Sequence, residues 1–270
     1  ISSLLTDGAN SVAYKPSPDN YYGVTTYNEA TNDWDAYFTS ATSGDFSNGT
    51  GYLFRRETTD GAVTFAGTLA TGDVTVPVML KEQGYGWNCI GNPYPSAIGV
   101  NNSATSATDF LTHNSGILDD SYEALYVWDH TANSGAGDYV IINHAGIGNG
   151  IEEAWVSNYL QSGQGFIVRA NANGDVTFTT DMQSHQPAQT FKSAEMPWSK
   201  AILTVNRNGE QTATKLAFNE AMSKGLDPGY DAGIFKNGND LYVYTQLVED
   251  NGVDFGLQCL PVQNMETLKI

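Results

Sequence analysis

Asp73-Val74-Thr75-Val76-Pro77-Val78-Met79-Leu80 sets valines two residues apart, and Ala62-Val63-Thr64-Phe65-Ala66-Gly67 does the same with Val63 and Phe65. A period of two marks a pleated strand with one face toward a core, because successive side chains point to opposite sides. Thr68–Gly72 separates the runs with small, turn-prone residues, so the pair reads as a β-hairpin. Pro77 has no amide hydrogen, which places its strand at a sheet edge or beside a bulge.

The pattern recurs in both directions along the chain. Short apolar or aromatic runs stand at 51–56, 86–90, 124–129, 139–143, 165–170 and 175–179, separated by segments such as Ala132-Asn133-Ser134-Gly135-Ala136-Gly137. Met182–Pro197 is polar, contains Pro187 and Pro197, and lacks sustained periodicity, as a linker would. More runs follow at 201–206, 214–219, 232–235, 240–245 and 254–260. Between them lie Arg207-Asn208-Gly209-Glu210, Asn237-Gly238-Asn239 and Glu249-Asp250-Asn251-Gly252, and Asn-Gly is the pair that best accepts the positive φ of a tight hairpin. Helix signals are confined to Ser106–Leu111, capped by Thr105 or Ser106, and to Glu152–Leu160, both too short to be stable alone. The expectation is an all-β chain: two β-sandwich or jelly-roll-like units in tandem, 1–185 and 196–270, with few short helical turns.

A chain of 270 residues can bury a core without a disulfide or a metal. Cys89 and Cys259 lie in apolar runs and read as buried free thiols. Lys and Arg number 12 against 30 acids, a net charge of −18. That balance excludes a nucleic-acid partner, which requires a basic stripe, and it disfavours an anionic membrane surface. It is compatible with divalent cations or salty surroundings. No apolar run approaches the ~18 residues that a membrane-crossing helix needs. Ile1-Ser2-Ser3-Leu4-Leu5 lacks the basic start of an export signal, so the chain reads as part of something longer.

Gly86-Trp87-Asn88-Cys89-Ile90-Gly91-Asn92-Pro93-Tyr94-Pro95-Ser96 is followed in order by Ala124–Asp129 (ALYVWD), Gly163–Val168 (GQGFIV) and Gly225–Ala232 (GLDPGYDA). These four segments resemble β-rich regions of large secreted or surface Bacteroidetes proteins exported by the type IX secretion system. Tyr27–Trp34 and Phe65–Gly72 also fit, so the resemblance covers most of the chain. Cys89 departs from it by standing where an aliphatic residue is usual. The resemblance implies a β-rich fold, an extracellular or cell-surface location, neighbouring domains in the parent chain, and continuation past Ile270 into more strands and a sorting domain. It implies no single activity. It also assigns Trp87, Tyr94 and Trp128 to packing. The two prolines of Asn92-Pro93-Tyr94-Pro95 read as a rigid turn, with either X-Pro bond open to the cis form.

Chemistry-bearing patterns are few. His113, His130, His144 and His185 have no nucleophile context, Gly-x-Ser-x-Gly is absent, and no zinc spacing occurs. Asp119-Asp120, Glu152-Glu153 and Asp33/Asp35 are paired acids, but neighbours on a strand face opposite ways, so they read as turn and surface acids. Oxygen-rich loops at Asp227, Asp231, Asp119 and Asp120 could hold a structural calcium, or could cap turn amides instead. No cofactor is required. Tyr21, Tyr22, Tyr27, Trp34 and Tyr37 cluster in a polar stretch with Asn32, Asp33 and Asp35. Flat rings beside hydroxyl partners form a candidate sugar platform, although filling a core is the commoner use of residues such as Trp34 and Tyr37.

Three functions remain open. One is a non-catalytic structural or adhesive module meeting a polysaccharide or another extracellular surface. A second is a carbohydrate-binding module of a polysaccharide-degrading enzyme. The third is a glycosidase or lyase domain. Sandwich folds host all three.

Overall fold

A four-stranded antiparallel sheet forms the middle layer, in the order Asp138–Ile142, Leu125–Asp129, Gly165–Arg169, Trp87–Gly91. The structure is a computed structural model that describes residues 1–58, 62–81, 84–130, 132–135, 137–146, 158–185, 198–236, 238, 241–249 and 251–262. The chain is all-β and sandwich-like, with a few short helical turns. Adjacent residues of the middle sheet feed two separate apolar clusters. Phe166 and Val168 enter one and Ile167 the other; Leu125 and Val127 oppose Tyr126 in the same way. A sheet covered on both faces needs no polar alternation, so its strands read as continuous apolar runs.

On the first face lie the antiparallel pair Val74–Val78 with Gly174–Phe178 and the three-stranded sheet Tyr159–Leu160, Ala97–Gly99, Gln183–Ser184. The short helix Phe110–Asn114 adds Phe110, edge-on to Phe166 at 5.3 Å. On the second face Trp87, Tyr126 and Ile167 meet Ala217, Phe235, Leu257 and Cys259. These come from or lie beside the C-terminal sheet, ordered Ser199–Arg207, Glu210–Phe218, Phe255–Leu260, Ala232–Gly233. Its long hairpin turns through Asn208 (φ 54°) and Gly209 (φ 89°), the geometry read from Asn-Gly. A smaller cluster around Leu4, Leu5, Val12 and Val24 supports the N-terminal sheet Asp33–Trp34, Val24–Asn28, Tyr52–Phe54 and the hairpin Tyr14–Lys15, Tyr21–Tyr22.

Several local expectations are corrected. Val74–Val78 is a strand at an edge, as Pro77 requires, but its partner is Gly174–Phe178 and not Ala62–Gly67, which forms no strand. The helix near 106–111 starts later: Asp109 caps it by accepting the Thr112 amide at 2.9 Å. Tyr159–Leu160 is a strand, and 152–157 lie outside the described residues, as do 186–197 of the linker and the Glu152-Glu153 pair. Met182 is fully buried and therefore belongs to the core rather than to a linker. Within 241–245 the chain forms only a bridge, Thr245 to Phe255. Trp87 and Tyr94 are buried, but Trp128 is 49% exposed and packs edge-on to Tyr139 at 5.1 Å. Both X-Pro bonds of Asn92–Pro95 are trans; among the described residues the cis bond is Ser17–Pro18. Both cysteines are free; burial pushes the Cys89 thiol up to about 12 and the Cys259 thiol further.

Burial of both faces makes a specific demand on one strand. Phe166→Ala and Ile167→Ala, neighbours facing opposite clusters, are each expected to cost roughly 2–5 kcal/mol in urea unfolding. If the middle sheet had one wet face, one of the two substitutions would be nearly neutral.

Candidate ligand-binding groove

Three backbone segments meet beside the N-terminal hairpin. Ala13 donates its amide to the Arg55 carbonyl at 2.9 Å, Gly23 donates to Ala13 at 2.7 Å, and Arg55 donates to Gly23 at 2.7 Å. Gly23 is required here for space: a Cβ on it would stand 2.9 Å from Arg55 Cβ and 3.3 Å from Ala13 Cβ. Over this floor opens a groove of about 390 Å³, walled by Tyr14, Lys15, Tyr21, Tyr37, Arg56 and Glu57.

The walls follow from strand alternation. Phe38 donates its amide to Val24 and accepts one from Tyr22, so the 36–39 segment runs beside 22–24. Phe38 packs on the small N-terminal cluster; its neighbour Tyr37 therefore faces outward. There the Tyr37 ring, 42% exposed, stacks on Tyr21 at 4.8 Å with 12° between planes. Lys15 lies opposite Tyr21 in the hairpin, with Nζ 5.6 Å above that ring and 2.9 Å from the Asp19 carboxylate. Asp19 raises the Lys15 pKa, chiefly through this hydrogen bond. Arg56 donates from Nε to the Asn10 carbonyl at 3.0 Å, and Glu57 accepts the Tyr14 amide at 3.4 Å. Arg55 is exposed, and its guanidinium has no hydrogen bond or ion pair among the described residues.

The chain belongs to the family described as Domain of unknown function (DUF8693), whose model matches residues 5–267. The groove lies wholly within that span. No curated protein and no solved structure matches the chain.

Of the residues expected to form the sugar platform, the structure places Tyr21 and Tyr37 in the groove. Tyr22 packs inward. Tyr27 leans on the second face of the middle sheet and donates its hydroxyl to Asn32 at 2.7 Å, and burial pushes its phenol pKa up. Trp34 stands edge-on to Tyr27 at 5.3 Å, away from the groove. Asp33 accepts the Trp34 amide, and Asp35 accepts from Thr26 and Asn28. Tyr14, Lys15, Arg55 and Arg56 escaped the sequence reading. Their signal was Lys15 and Arg55-Arg56 standing close to tyrosines in a chain with few cations.

Three of the four expected calcium ligands accept backbone amides. Asp227 accepts the Ser223 amide at 2.7 Å; Asp231, fully buried, accepts the amides of Asp227 at 2.8 Å and Cys259 at 2.7 Å. Asp119 accepts the Ser121 amide and lies 3.6 Å from Arg169, while Asp120 is exposed. Among the described residues no three His, Cys, Asp or Glu side chains gather to hold a metal.

A separate buried junction titrates. Gly229 gives its carbonyl to the His144 amide at 2.8 Å, and its α-carbon leaves room for His144 and Glu123, a Cβ there lying 3.2 Å from Glu123 Oε1. Burial pushes the Glu123 carboxyl up to about 7, with Asp120 and Asp109 adding to it, and pushes Asp231 up to about 6. Burial also lowers His144, against the charge of Asp109. A carboxyl raised on folding binds more protons in the native state than in the unfolded one. Its stabilising contribution is full below the ordinary carboxylate pKa and is lost as pH rises through 6 and 7. The urea midpoint is therefore expected to fall between about pH 5 and about pH 8, and to fall less in Glu123→Gln. An identical pH slope in the variant would remove Glu123 from this account.

Proposed function

We propose that the chain is a non-catalytic adhesive module of a larger secreted or cell-surface protein, and that it holds a saccharide in the tyrosine groove. The observation that carries this is the stacked Tyr21–Tyr37 pair, open to solvent at Tyr37 and flanked by charged hydrogen-bonding groups. An aromatic face accepts the apolar C–H side of a pyranose ring while polar neighbours take its hydroxyls. The pair is held in place before any ligand arrives, because Tyr21 lies in a hairpin and Tyr37 beside a half-buried Phe38 that packs on the N-terminal cluster. Preorganisation lowers the ordering cost of binding. The groove collects rings and cations, not a base beside a nucleophile, which favours binding over turnover. The resemblance of the Gly86–Ser96, Ala124–Asp129, Gly163–Val168 and Gly225–Ala232 segments to exported proteins supports the extracellular setting. The same geometry would serve a carbohydrate-binding module of a polysaccharide-degrading enzyme, a difference that lies in the parent chain and not in this groove.

A glycan array probed with wild type, Tyr37→Ala and Trp34→Ala tests the reading. Wild type should bind, Tyr37→Ala should weaken binding roughly ten-fold or more, and Trp34→Ala should leave it unchanged. Binding that survives Tyr37→Ala but vanishes in Trp34→Ala would move the site. An array with no wild-type signal would end the saccharide reading.

A further inference from the structure

The groove is basic in an acidic protein. Lys15, Arg55 and Arg56 line it against one acid, Glu57, in a chain with only 12 Lys and Arg and a net charge of −18. Resting on the saccharide reading above, we infer that the ligand carries a carboxylate: a uronic-acid unit whose ring lies on Tyr37 and whose carboxylate meets Arg55.

Arg55 carries this inference. Its backbone is tied to Gly23 and Ala13, so the point from which its side chain leaves the groove floor is fixed. Its guanidinium nonetheless stays exposed, without a hydrogen bond or ion pair among the described residues. The two other cations are already engaged, Lys15 with Asp19 and Arg56 with Asn10. A guanidinium offers two parallel N–H donors that match a carboxylate in bidentate fashion. A neutral sugar cannot complete that pair. Acids farther than a Debye length of ~8 Å are screened at physiological ionic strength, and Asp19 beside the groove is paired with Lys15. The acids of the chain would still repel a long polyanion, so the site suits a short or sparsely charged stretch.

Calorimetric titration of the whole chain with trigalacturonate and with its methyl ester isolates the charge, since rings and hydroxyls are shared. The acid should bind about ten-fold tighter or more than the ester. That preference should disappear in Arg55→Gln and be partly kept in Arg55→Lys, with thermal midpoints unchanged at this exposed position. Equal binding of acid and ester overturns the anionic inference and leaves the saccharide reading standing, and so does a preference for the ester. An acid preference that persists in Arg55→Gln overturns the role of Arg55. If neither sugar binds, the array decides. An acidic glycan whose binding needs Arg55 upholds the inference, a neutral glycan overturns it alone, and no glycan overturns both readings.

Discussion

The middle sheet has no wet face, and every other layer is arranged around that constraint. In a sheet with one polar face, sliding a strand by one residue exposes its apolar set, so the pattern alone protects the register. Here Phe166 and Ile167 both enter apolar clusters, so the pattern protects less. Buried polar side chains supply the missing specification. Asn88 accepts the Met79 amide and donates to the carbonyls of Met79 and Gly86, all within 2.9 Å. Asn92 accepts the Tyr94 amide and donates to the carbonyls of Ser96, Leu160 and Gln161. Tyr94, nearly fully buried, reaches the Phe178 carbonyl at 2.7 Å. A one-residue slip of Trp87–Gly91 would strand these groups without partners, at a cost of about 1–3 kcal/mol each. This is the physical sense of the Gly86–Ser96 segment: its asparagines and Tyr94 lock a register that hydrophobicity leaves loose.

The acids show the same economy. Asp7, Asp109, Asp119 and Asp227 each accept a backbone amide in a turn or at a helix start. A carboxylate in that role satisfies a donor that would otherwise need water. Asp231 does it in the interior, joining the Gly225–Asp231 loop to the strand Phe255–Leu260. Part of what composition presents as an acidic surface is thus turn scaffolding, in which a carboxylate is stabilised by backbone amides and needs no cation beside it.

What could be read from the sequence followed from local chemistry. The strands at 87–91, 125–129 and 165–169 and the 214–218 half of Glu210–Phe218 announce themselves by apolar runs and turn residues, and the Asn208-Gly209 hairpin by the φ it demands. The partner of Val74–Val78 did not, because Gly174–Phe178 lies about a hundred residues away and alternation says nothing about which strand pairs with which. The site was half legible. The tyrosine cluster was visible, but choosing between Trp34 and Tyr37 required knowing which residue of each strand faces the core, and Phe38 decides that only once it is placed. Arg55 was out of reach altogether, since it joins Tyr21 and Tyr37 through a three-segment floor.

That floor also explains how a peripheral groove is held to a rigid scaffold. The free edge of Trp87–Gly91 is covered by residues 49–51: Gly51 donates to the Cys89 carbonyl at 3.0 Å and Gly91 to Gly49 at 2.8 Å. Only glycine permits this approach, since a Cβ at Gly51 would sit 2.4 Å from Cys89 Sγ. From this anchor the chain runs directly into Tyr52–Phe54 and then to Arg55. Buried Glu29, at the end of the neighbouring strand, accepts the Gly86 amide at 2.8 Å and ties the same N-terminal sheet to the opposite end of Trp87–Gly91. An exposed edge is a liability that proteins cover. Here the cover also aligns Arg55 with the tyrosine stack, so the accuracy of the groove derives from the register of the buried sheet and not from its own small cluster.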